Sequence, residues 1–463
     1  MTTTTAIQDL PGDLTPVDVV AALIELHGSD LRYSSSHNKW LVFDEITGWV
    51  WDRQNSCLQS LVIETLSHLC AMQPPEGSTP YETRNFLKWR RRTCRRLMNN
   101  SGINGVIALA SRGVELQVAD TSIDAATDSI GTPKGVLNLR TGKVRPFDRG
   151  EIVTKRLPVS YEPTAKCRRW QRFLVEVLGS DAGVQAYFQE LMGYALTGDT
   201  SEQKMWLLVG KGSNGKSTLL HAIKSALGYD YAQQSPEAVL LGRQASGGAS
   251  SELVRLQGAR CAILTETNYG QSINEERVKA LVAGDAIAAR ALYENFIEFI
   301  PQAKYFLATN HLPTVRGSDK GIWRRLVVVP FDREFEVGAD KTLTFELLSE
   351  MEGIVAWAVQ GAKRWYKRGG LPTLPSEWDL ATGAYRSEQD VLSAFLDECA
   401  EFASGDFIGA AELYVAYEEW SKQSGRPVMQ QQEFGHRMNL VDTVQRCRRG
   451  KANRFHYAGL RLR

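Results

Sequence analysis

The residues from Gly210 to Ser217 have the types and the spacing that hold a chain of phosphates. They read GKGSNGKS, which meets the pattern G-x4-G-K-S, between a predicted strand at 205–209 and a predicted helix at 217–227. Glycines let the backbone curl so that successive N–H groups point at phosphate oxygens, and the helix N-terminus adds partial positive charge. The sequence therefore predicts a nucleoside triphosphate site made by Gly210, Gly212, Ser213, Asn214, Gly215, Lys216, Ser217 and Thr218.

Two kinds of side chain in this site would do different work. The Lys216 ammonium would contact the β- and γ-phosphates, and the Ser217 hydroxyl would bind Mg²⁺. A P-loop ATPase also needs an acid that polarises the attacking water, and Glu266 follows the apolar segment Ala262–Thr265. Glu266 would be this base and would share metal binding with Ser217, although a solvated Glu at a strand end is the alternative.

Two further polar segments follow in the chain. Asn310 comes after the predicted strand 305–308 and could orient water near the γ-phosphate, although an Asn before His-Leu-Pro also suits a turn. Arg324 and Arg325 precede the predicted strand 326–329. An arginine offered to a neighbour's γ-phosphate would stabilise the charge that develops in transfer, and a surface pair at a sheet edge is the alternative.

Composition restricts the class of protein. A length of 463 residues predicts two to four domains, and 43% hydrophobic with 23% charged residues is typical of a soluble globular protein. A net charge of +1 requires any nucleic-acid affinity to come from local basic patches. The seven cysteines form no CxxC pair, so we expect no disulfide framework, no zinc site and a reducing compartment. We see no signal peptide and no apolar run of about 20 residues, which predicts a cytoplasmic protein without membrane partners.

The order of four segments resembles a known family. The chain contains GKGSNGKST, ILTET, LATNHLP and WRRLVVVPF, and Lys216 lies 109 residues before Arg325. This order resembles the superfamily 3 helicases, specifically the phage and plasmid helicase–primase type related to the poxvirus replicative helicase. The resemblance implies that Lys216, Glu266, Asn310 and Arg325 are catalytic, that Arg325 fits the arginine finger better than Arg324, and that the first acid of the Walker B pair is absent, since Thr265 stands there.

The resemblance also implies a fold. We expect an α/β chain with an AAA+ type P-loop ATPase core, a helical N-terminal collar domain and a C-terminal winged-helix domain. The expected divisions are residues 1–130 as an α+β domain of uncertain role, 131–200 as the collar, 201–335 as the core, 336–385 as a helical lid and linker, and 386–463 as the winged helix.

Three segments are candidates for contact with DNA. The resemblance implies a pore hairpin at about 290–296, with Arg290, Tyr293 and Asn295 as candidates. The C-terminal tail carries seven cations in eighteen residues, including Arg446, Arg448, Arg449, Lys451 and Arg454, although a solvated tail is the alternative. The run Lys88–Arg96 carries six cations and could bind DNA, contact another subunit or be a solvated helix face.

The leading functional hypothesis is an ATP- and Mg²⁺-dependent replicative DNA helicase of a phage, plasmid or mobile element in a bacterial host cell. It would translocate on single-stranded or forked DNA as a ring, with a hexamer expected. Residues 1–130 contain no DxD pair, so we expect a separate primase or polymerase. The alternative is an ATP-dependent initiator that melts or marks an origin, and an ATPase acting on protein is less favoured by the basic tail.

Overall fold

The computed structural model describes residues 14–463 except 75, 237, 242–250, 266–271, 291–295, 316–319, 337–341, 427, 440, 442 and 450–452. Over this range the protein is a mixed α/β structure with a five-stranded parallel sheet. None of the described helices is both long enough and apolar enough to cross a membrane.

The N-terminal unit packs four helices around a small antiparallel sheet. Its elements are α1 (Pro16–His27), β1 (Leu31–Ser34), β2 (Lys39–Asp44), β3 (Gly48–Trp51), α2 (Ser56–Ala71), α3 (Pro80–Leu97) and α4 (Asn100–Ala110). Strands β2 and β3 form an antiparallel hairpin, with Val42 opposite Val50. Buried Leu23, Leu66 and Val106 hold α1, α2 and α4 together.

A disulfide joins α2 to α3, and the expectation of no disulfide framework is corrected in this one respect. Cys70 and Cys94 are bonded, with their Cα atoms 6.1 Å apart. The two cysteines are separated by 24 positions in the chain and meet because α3 packs against α2. Sequence spacing does not reveal such a pair, since connectivity follows from the fold.

The next unit begins with strands and ends with helices. It contains β4 (Ser129–Thr132), β5 (Gly135–Asn138), β6 (Lys143–Arg145), α5 (Arg168–Leu178) and α6 (Ala182–Leu196). The predicted collar is thus helical only from Arg168 onward. Glycines allow α6 to approach a later helix very closely, since a Cβ on Gly193 would lie 1.9 Å from the Ala362 nitrogen.

The central parallel sheet is built from five strands with the order β13-β7-β12-β9-β8. This segment and the helices after it contain β7 (Met205–Val209), α7 (Lys216–Tyr231), β8 (Ala232–Ser235), α8 (Ala238–Leu241), α9 (Ser251–Val254), β9 (Cys261–Thr265), α10 (Glu275–Ala283), β10 (Ile287–Arg290), β11 (Phe296–Phe299), β12 (Lys304–Thr309), α11 (Lys320–Trp323), β13 (Leu326–Pro330), α12 (Leu343–Ser349), α13 (Met351–Arg368) and α14 (Ser376–Gln389). The four predicted strands match β7, β9, β12 and β13 to within one residue at each end. Apolar runs buried on both faces are the pattern expected of such strands.

The sheet and the unit before it share one hydrophobic core and several buried polar contacts. Leu137, Trp206 and Trp357 belong to the same buried cluster. Arg260, 2% exposed at the start of β9, donates a hydrogen bond of 2.5 Å to the Ala126 carbonyl. These contacts tie the segment before β4 to the sheet.

The C-terminal unit combines three helices with an antiparallel sheet of order β14-β16-β15. Its elements are α15 (Val391–Cys399), β14 (Ala400–Gly409), α16 (Ala410–Gln423), α17 (Gln431–Met438), β15 (Gln445–Arg449) and β16 (Arg454–Leu462). Phe395, Tyr417, Phe434 and Leu460 form its core. Residues 454–462 form the single strand β16, which pairs with β15 as an antiparallel hairpin.

Candidate nucleotide and nucleic-acid sites

The loop between β7 and α7 is curled by residues with positive φ. Gly212, Ser213 and Gly215 have φ values of +126°, +46° and +86°. A Cβ on Gly210 would lie 2.1 Å from the Asn214 amide nitrogen and 2.4 Å from the Phe331 carbonyl oxygen, so only glycine fits there. The loop is therefore shaped by glycines at the positions where the sequence predicts a phosphate cradle.

Lys216 is buried at the first position of α7 and has only neutral acceptors among the described residues. Its Nζ donates hydrogen bonds to the Gly210 carbonyl at 2.5 Å, Asn214 Oδ1 at 3.1 Å and Asn310 Oδ1 at 3.4 Å. The residue is 7% exposed, and burial lowers its pKa below the ordinary value. A buried cation without a carboxylate partner makes this position favourable for an anion. The structure thus brings Lys216 and Asn310 together, as the sequence predicts.

A cavity of about 590 Å³ opens above this lysine. Its lining residues come from the loop, from α7, from strands β8, β9 and β12 and from the residue after β12, and they are Gly212, Ser213, Asn214, Gly215, Lys216, Ser217, Thr218, Leu220, His221, Lys224, Gln234, Ile263, Ala308, Thr309 and Asn310. The carboxyl ends of parallel strands at a change in strand order are where ligands bind in α/β sheets. The cavity fits a nucleoside triphosphate by its location, its buried cation and its curled backbone.

Sequence reasoning missed three polar residues of this cavity. His221 and Lys224 follow Ser217 by four and seven positions, so helical spacing would have placed them on the same face of α7. Lys224 Nζ donates a hydrogen bond of 3.1 Å to Gln234 Oε1 on β8. No sequence signal identified Gln234, because β8 carries no motif.

The phosphate loop is anchored to the segment that follows β13. Asn214 Nδ2 donates to the Phe331 carbonyl at 3.2 Å, and the Phe335 N–H donates to the Ser213 carbonyl at 2.8 Å. On its other side the loop contacts α5, since a Cβ on Gly215 would lie 2.5 Å from Val177 Cγ1. The loop thus has packed neighbours on both sides.

Glu266 lies outside the described residues, so its predicted roles as base and metal ligand stay predictions. Strand β9 ends at Thr265, which lies opposite Ala308 on β12. Of the proposed metal ligands, Ser217 lines the cavity. Within the part of the chain that is described, no three or more His, Cys, Asp and Glu residues are grouped so as to hold a metal ion.

The two adjacent arginines before β13 differ in their surroundings. Arg325 is 8% exposed and donates hydrogen bonds to the Gly321 carbonyl at 2.6 Å and to Gln203 Oε1 at 3.3 Å. Arg324 is exposed. Both precede β13, whereas the phosphate loop follows its parallel neighbour β7. The arginines are therefore at the opposite edge of the sheet from their own loop, a strand length of about 16 Å away.

Strands β10 and β11 pair antiparallel on either side of residues 291–295, the segment where the resemblance predicts a pore hairpin. Arg290 lies opposite Phe296, and its guanidinium carbon is 4.9 Å from the centre of that ring. Tyr293 and Asn295 lie outside the described residues, so their proposed contact with DNA stays a prediction.

The C-terminal hairpin presents arginines stacked on aromatic rings. Arg446 and Arg448 lie 3.7 Å and 4.6 Å from the ring centre of Phe455, and Arg449 lies 3.4 Å from that of Phe407. Arg454 is exposed and pairs with Arg449 across the strands. Lys451 lies outside the described residues.

One cation of the C-terminal tail is neutralised within the sheet. Arg461 Nη2 donates a hydrogen bond of 2.7 Å to Glu401 Oε2, and a second ion pair of 3.4 Å joins it to Asp406. On β15, Arg446 and Arg448 carry no ion pair within the described range. The hairpin end of the sheet therefore supplies most of the tail's available positive charge.

Comparison with known proteins agrees with this arrangement. Residues 20–179 match the family "D5 N terminal like", and residues 208–325 match a "Family of unknown function (DUF5906)". The apo C-terminal region of NrS-1 has a similar fold, with a TM-score of 0.51 and 12% identity over 96% of this chain and 99% of that chain.

Curated relatives come from several viruses. A protein named "Putative helicase" from Acanthamoeba polyphaga mimivirus is 28% identical over 71% of this chain and 37% of its own length. A protein also named "Putative helicase", from Frog virus 3, is 24% identical over 52% of this chain and 26% of its own length. A "Putative primase" from African swine fever virus is 25% identical over 74% of this chain and 39% of its own length. The chain thus spans about a quarter to two fifths of these relatives. The matched N-terminal segment and the viral relatives show that this chain is similar to the D5-like helicase–primase proteins, as the resemblance predicts.

Proposed function

We propose that the chain is an ATP-dependent replicative DNA helicase that works as a ring, with an AAA+ type P-loop core. The observation that carries this proposal is Lys216, a buried cation that bonds both the loop carbonyl of Gly210 and the Asn310 amide at the carboxyl edge of the sheet. The strand that carries the loop, β7, lies between β12, which leads to Asn310, and β13, which follows the arginine pair.

The residues of the cavity would act on a bound triphosphate as follows. Lys216 exchanges its bonds to Gly210 and Asn214 for phosphate oxygens, which costs little because both present partners are neutral. Mg²⁺, held by the Ser217 hydroxyl and by Glu266, would neutralise charge on the phosphates. Asn310 orients a water molecule, and Glu266 accepts its proton as the water oxygen bonds to the γ-phosphorus and the bond to ADP breaks, giving ADP and phosphate.

The arginine pair would serve a neighbouring subunit, because it lies at the sheet edge away from its own loop. Sequence spacing favours Arg325 as the finger, but Arg325 is buried and bonded to Gly321 and Gln203. The exposed Arg324 can reach a neighbour without breaking these bonds. We propose Arg324 as the finger and Arg325 as the residue that positions it. A hexamer is the expected assembly.

DNA would be contacted at two places. The β10–β11 hairpin, with Arg290, Tyr293 and Asn295, would line the pore of the ring. Residues 386–463 would act as a winged helix whose wing is the β15–β16 hairpin, with 336–385 as lid and linker and 131–200 as the collar. The relatives come from viruses of eukaryotes, so the predicted bacterial host finds no support among them.

The test is ATP hydrolysis and strand displacement on a forked duplex. Wild-type protein should hydrolyse ATP faster with single-stranded DNA and displace a strand, whereas Lys216→Ala should do neither. Mixing Lys216→Ala with Arg324→Ala in equal amounts should restore about a quarter of the activity, because about a quarter of the heterologous interfaces then hold both intact residues. Hydrolysis without displacement would favour the initiator alternative, and no DNA-stimulated hydrolysis would refute the proposal.

A further inference from the structure

The outer face of helix α3 is a strip of cations that the nucleotide site does not use. The helix carries seven basic residues and one acid, Glu82, which caps its first turn. Five of the cations project from one side, and these are Arg84, Lys88, Arg91, Arg92 and Arg95. Their positions fall within an arc of roughly 100°. All five are exposed, and none forms an ion pair among the described residues.

The opposite face of α3 is fixed to the N-terminal unit. Thr93 and Leu97 are buried, and Cys94 is bonded to Cys70. The other two arginines of α3 are hydrogen-bonded within the N-terminal unit, since Arg90 donates a hydrogen bond of 2.9 Å to the Met72 carbonyl and Arg96 donates to a carbonyl on the segment before α1. The structure therefore divides the basic residues of α3 into two hydrogen-bonded arginines and an outward strip of five cations.

The strip borders a groove of about 800 Å³ that has an apolar component. Leu87, 39% exposed, lies in its lining, and Tyr81, 75% exposed, stands at the N-terminal end of the strip. From Arg84 to Arg95 the strip is about 16 Å long at 1.5 Å per residue. Successive phosphates of an extended single strand lie farther apart than the ~3.4 Å rise of a duplex strand, so the strip spans fewer than about five nucleotides.

We propose that the outer face of α3 binds the phosphate backbone of single-stranded nucleic acid, with a base stacked on Tyr81. Unpaired cations at regular spacing match a polyphosphate better than they match a protein surface, where exposed single-sign rows are neutralised by scattered acids. An exposed aromatic beside cations is the arrangement that stacks unpaired bases. This site is separate from the ATP cavity and does not depend on nucleotide.

The test is the salt dependence of binding to a fluorescent 20-nucleotide oligo(dT), measured by anisotropy with the full chain and without ATP. The test variant replaces Arg84, Lys88, Arg91 and Arg95 with alanine. A charge-matched control replaces four exposed cations that lie elsewhere, which are Arg112, Lys134, Lys143 and Lys367. The slope of log K against log salt should fall in magnitude by about 3 in the test variant, since each single-strand phosphate contact contributes about 0.7. The control should change it far less.

Further variants separate charge, stacking and folding. Lysine at Arg84, Arg91 and Arg95 should keep the slope, because the charge is retained. Tyr81→Ala should weaken oligo(dT) binding about tenfold and leave binding to a 20-base-pair duplex unchanged. Far-UV circular dichroism checks that the alanine variant folds, which its exposed positions lead us to expect.

Three results would overturn the proposal. A wild-type slope in the alanine variant would show that α3 does not bind nucleic acid. If the alanine variant keeps the wild-type slope but sediments with a lower mass than the wild-type protein, the strip is a contact between subunits. Unchanged oligo(dT) affinity in Tyr81→Ala would refute the stacked base. Because no ATP is present, a failure of the helicase proposal would leave these measurements unaffected.

Discussion

Alanine at Arg324 and alanine at Arg325 should impair the protein in different ways. Arg325→Ala removes two charge-assisted hydrogen bonds from a residue that is 8% exposed, and each is worth about 1.5–3 kcal/mol. We therefore expect the free energy of unfolding to fall by about 3 kcal/mol or more. Arg324 is exposed, so Arg324→Ala should change stability by less than about 0.5 kcal/mol.

For ATP hydrolysis, Arg324→Ala should have the direct effect and Arg325→Ala the indirect one. An arginine finger contributes about 10³–10⁵ in kcat, or about 4–7 kcal/mol of transition-state stabilisation. Arg324→Ala should lose activity of this size while its Kd for a non-hydrolysable ATP analogue stays unchanged, because the finger belongs to the neighbouring site. Arg325→Ala should lose activity together with stability.

The assays are thermal unfolding, calorimetric titration with the analogue, and DNA-stimulated ATP hydrolysis. Arg324→Lys is the matched control, since it keeps the charge but not the planar fork, and it should recover part of the activity. Normal hydrolysis by Arg324→Ala, with a stable but inactive Arg325→Ala, would refute the assignment and restore Arg325 as the finger that sequence spacing favours.

Three other changes test separate parts of the structure. Burial lowers the pKa of Lys216, whereas bound phosphates favour its ammonium form. The affinity for the ATP analogue should therefore fall as pH rises through that pKa. Titration with the analogue from pH 7 to 10 should show this fall, and a flat profile would contradict it. Gly193→Ala should lower the free energy of unfolding by about 1–3 kcal/mol, because its Cβ meets the backbone of α13. Gly383→Ala has open space around it and should be neutral or stabilising in the same denaturant titration. Equal effects of the two substitutions would refute the close helix contact. Phe455→Ala removes two cation–π contacts and should weaken DNA binding, measured by anisotropy, about tenfold. The slope of log K against log salt should not change, and a changed slope would show that phosphate contacts were lost as well.

The geometry of the candidate phosphate site could be predicted because its parts are local or regularly ordered. The loop needs glycines within eight consecutive residues, and the strands before and after it are continuous apolar runs. Asn310 could be placed near Lys216 because parallel strands end at one edge of a sheet. Each of these inferences needs only chain order and periodicity.

Other features depend on packing that no spacing encodes. Cys70 and Cys94 meet through the contact of two helices. In WRRL, the two arginines look equivalent, and only the fold buries one and exposes the other. Gln234 joins the cavity because β8 is the edge strand of the sheet. Glu266, Tyr293, Asn295 and Lys451 lie outside the described residues and stay predictions.

The hydrogen bond from the buried Arg260 to the Ala126 carbonyl determines how this protein can be divided. The expected boundary at residue 200 separates the two partners, although one core cluster runs across it. A fragment that began there would keep a buried guanidinium without its acceptor and would expose the apolar face that Leu137 covers. Recombination that exchanges the parallel-sheet unit between relatives must therefore carry the chain from about residue 124 onward.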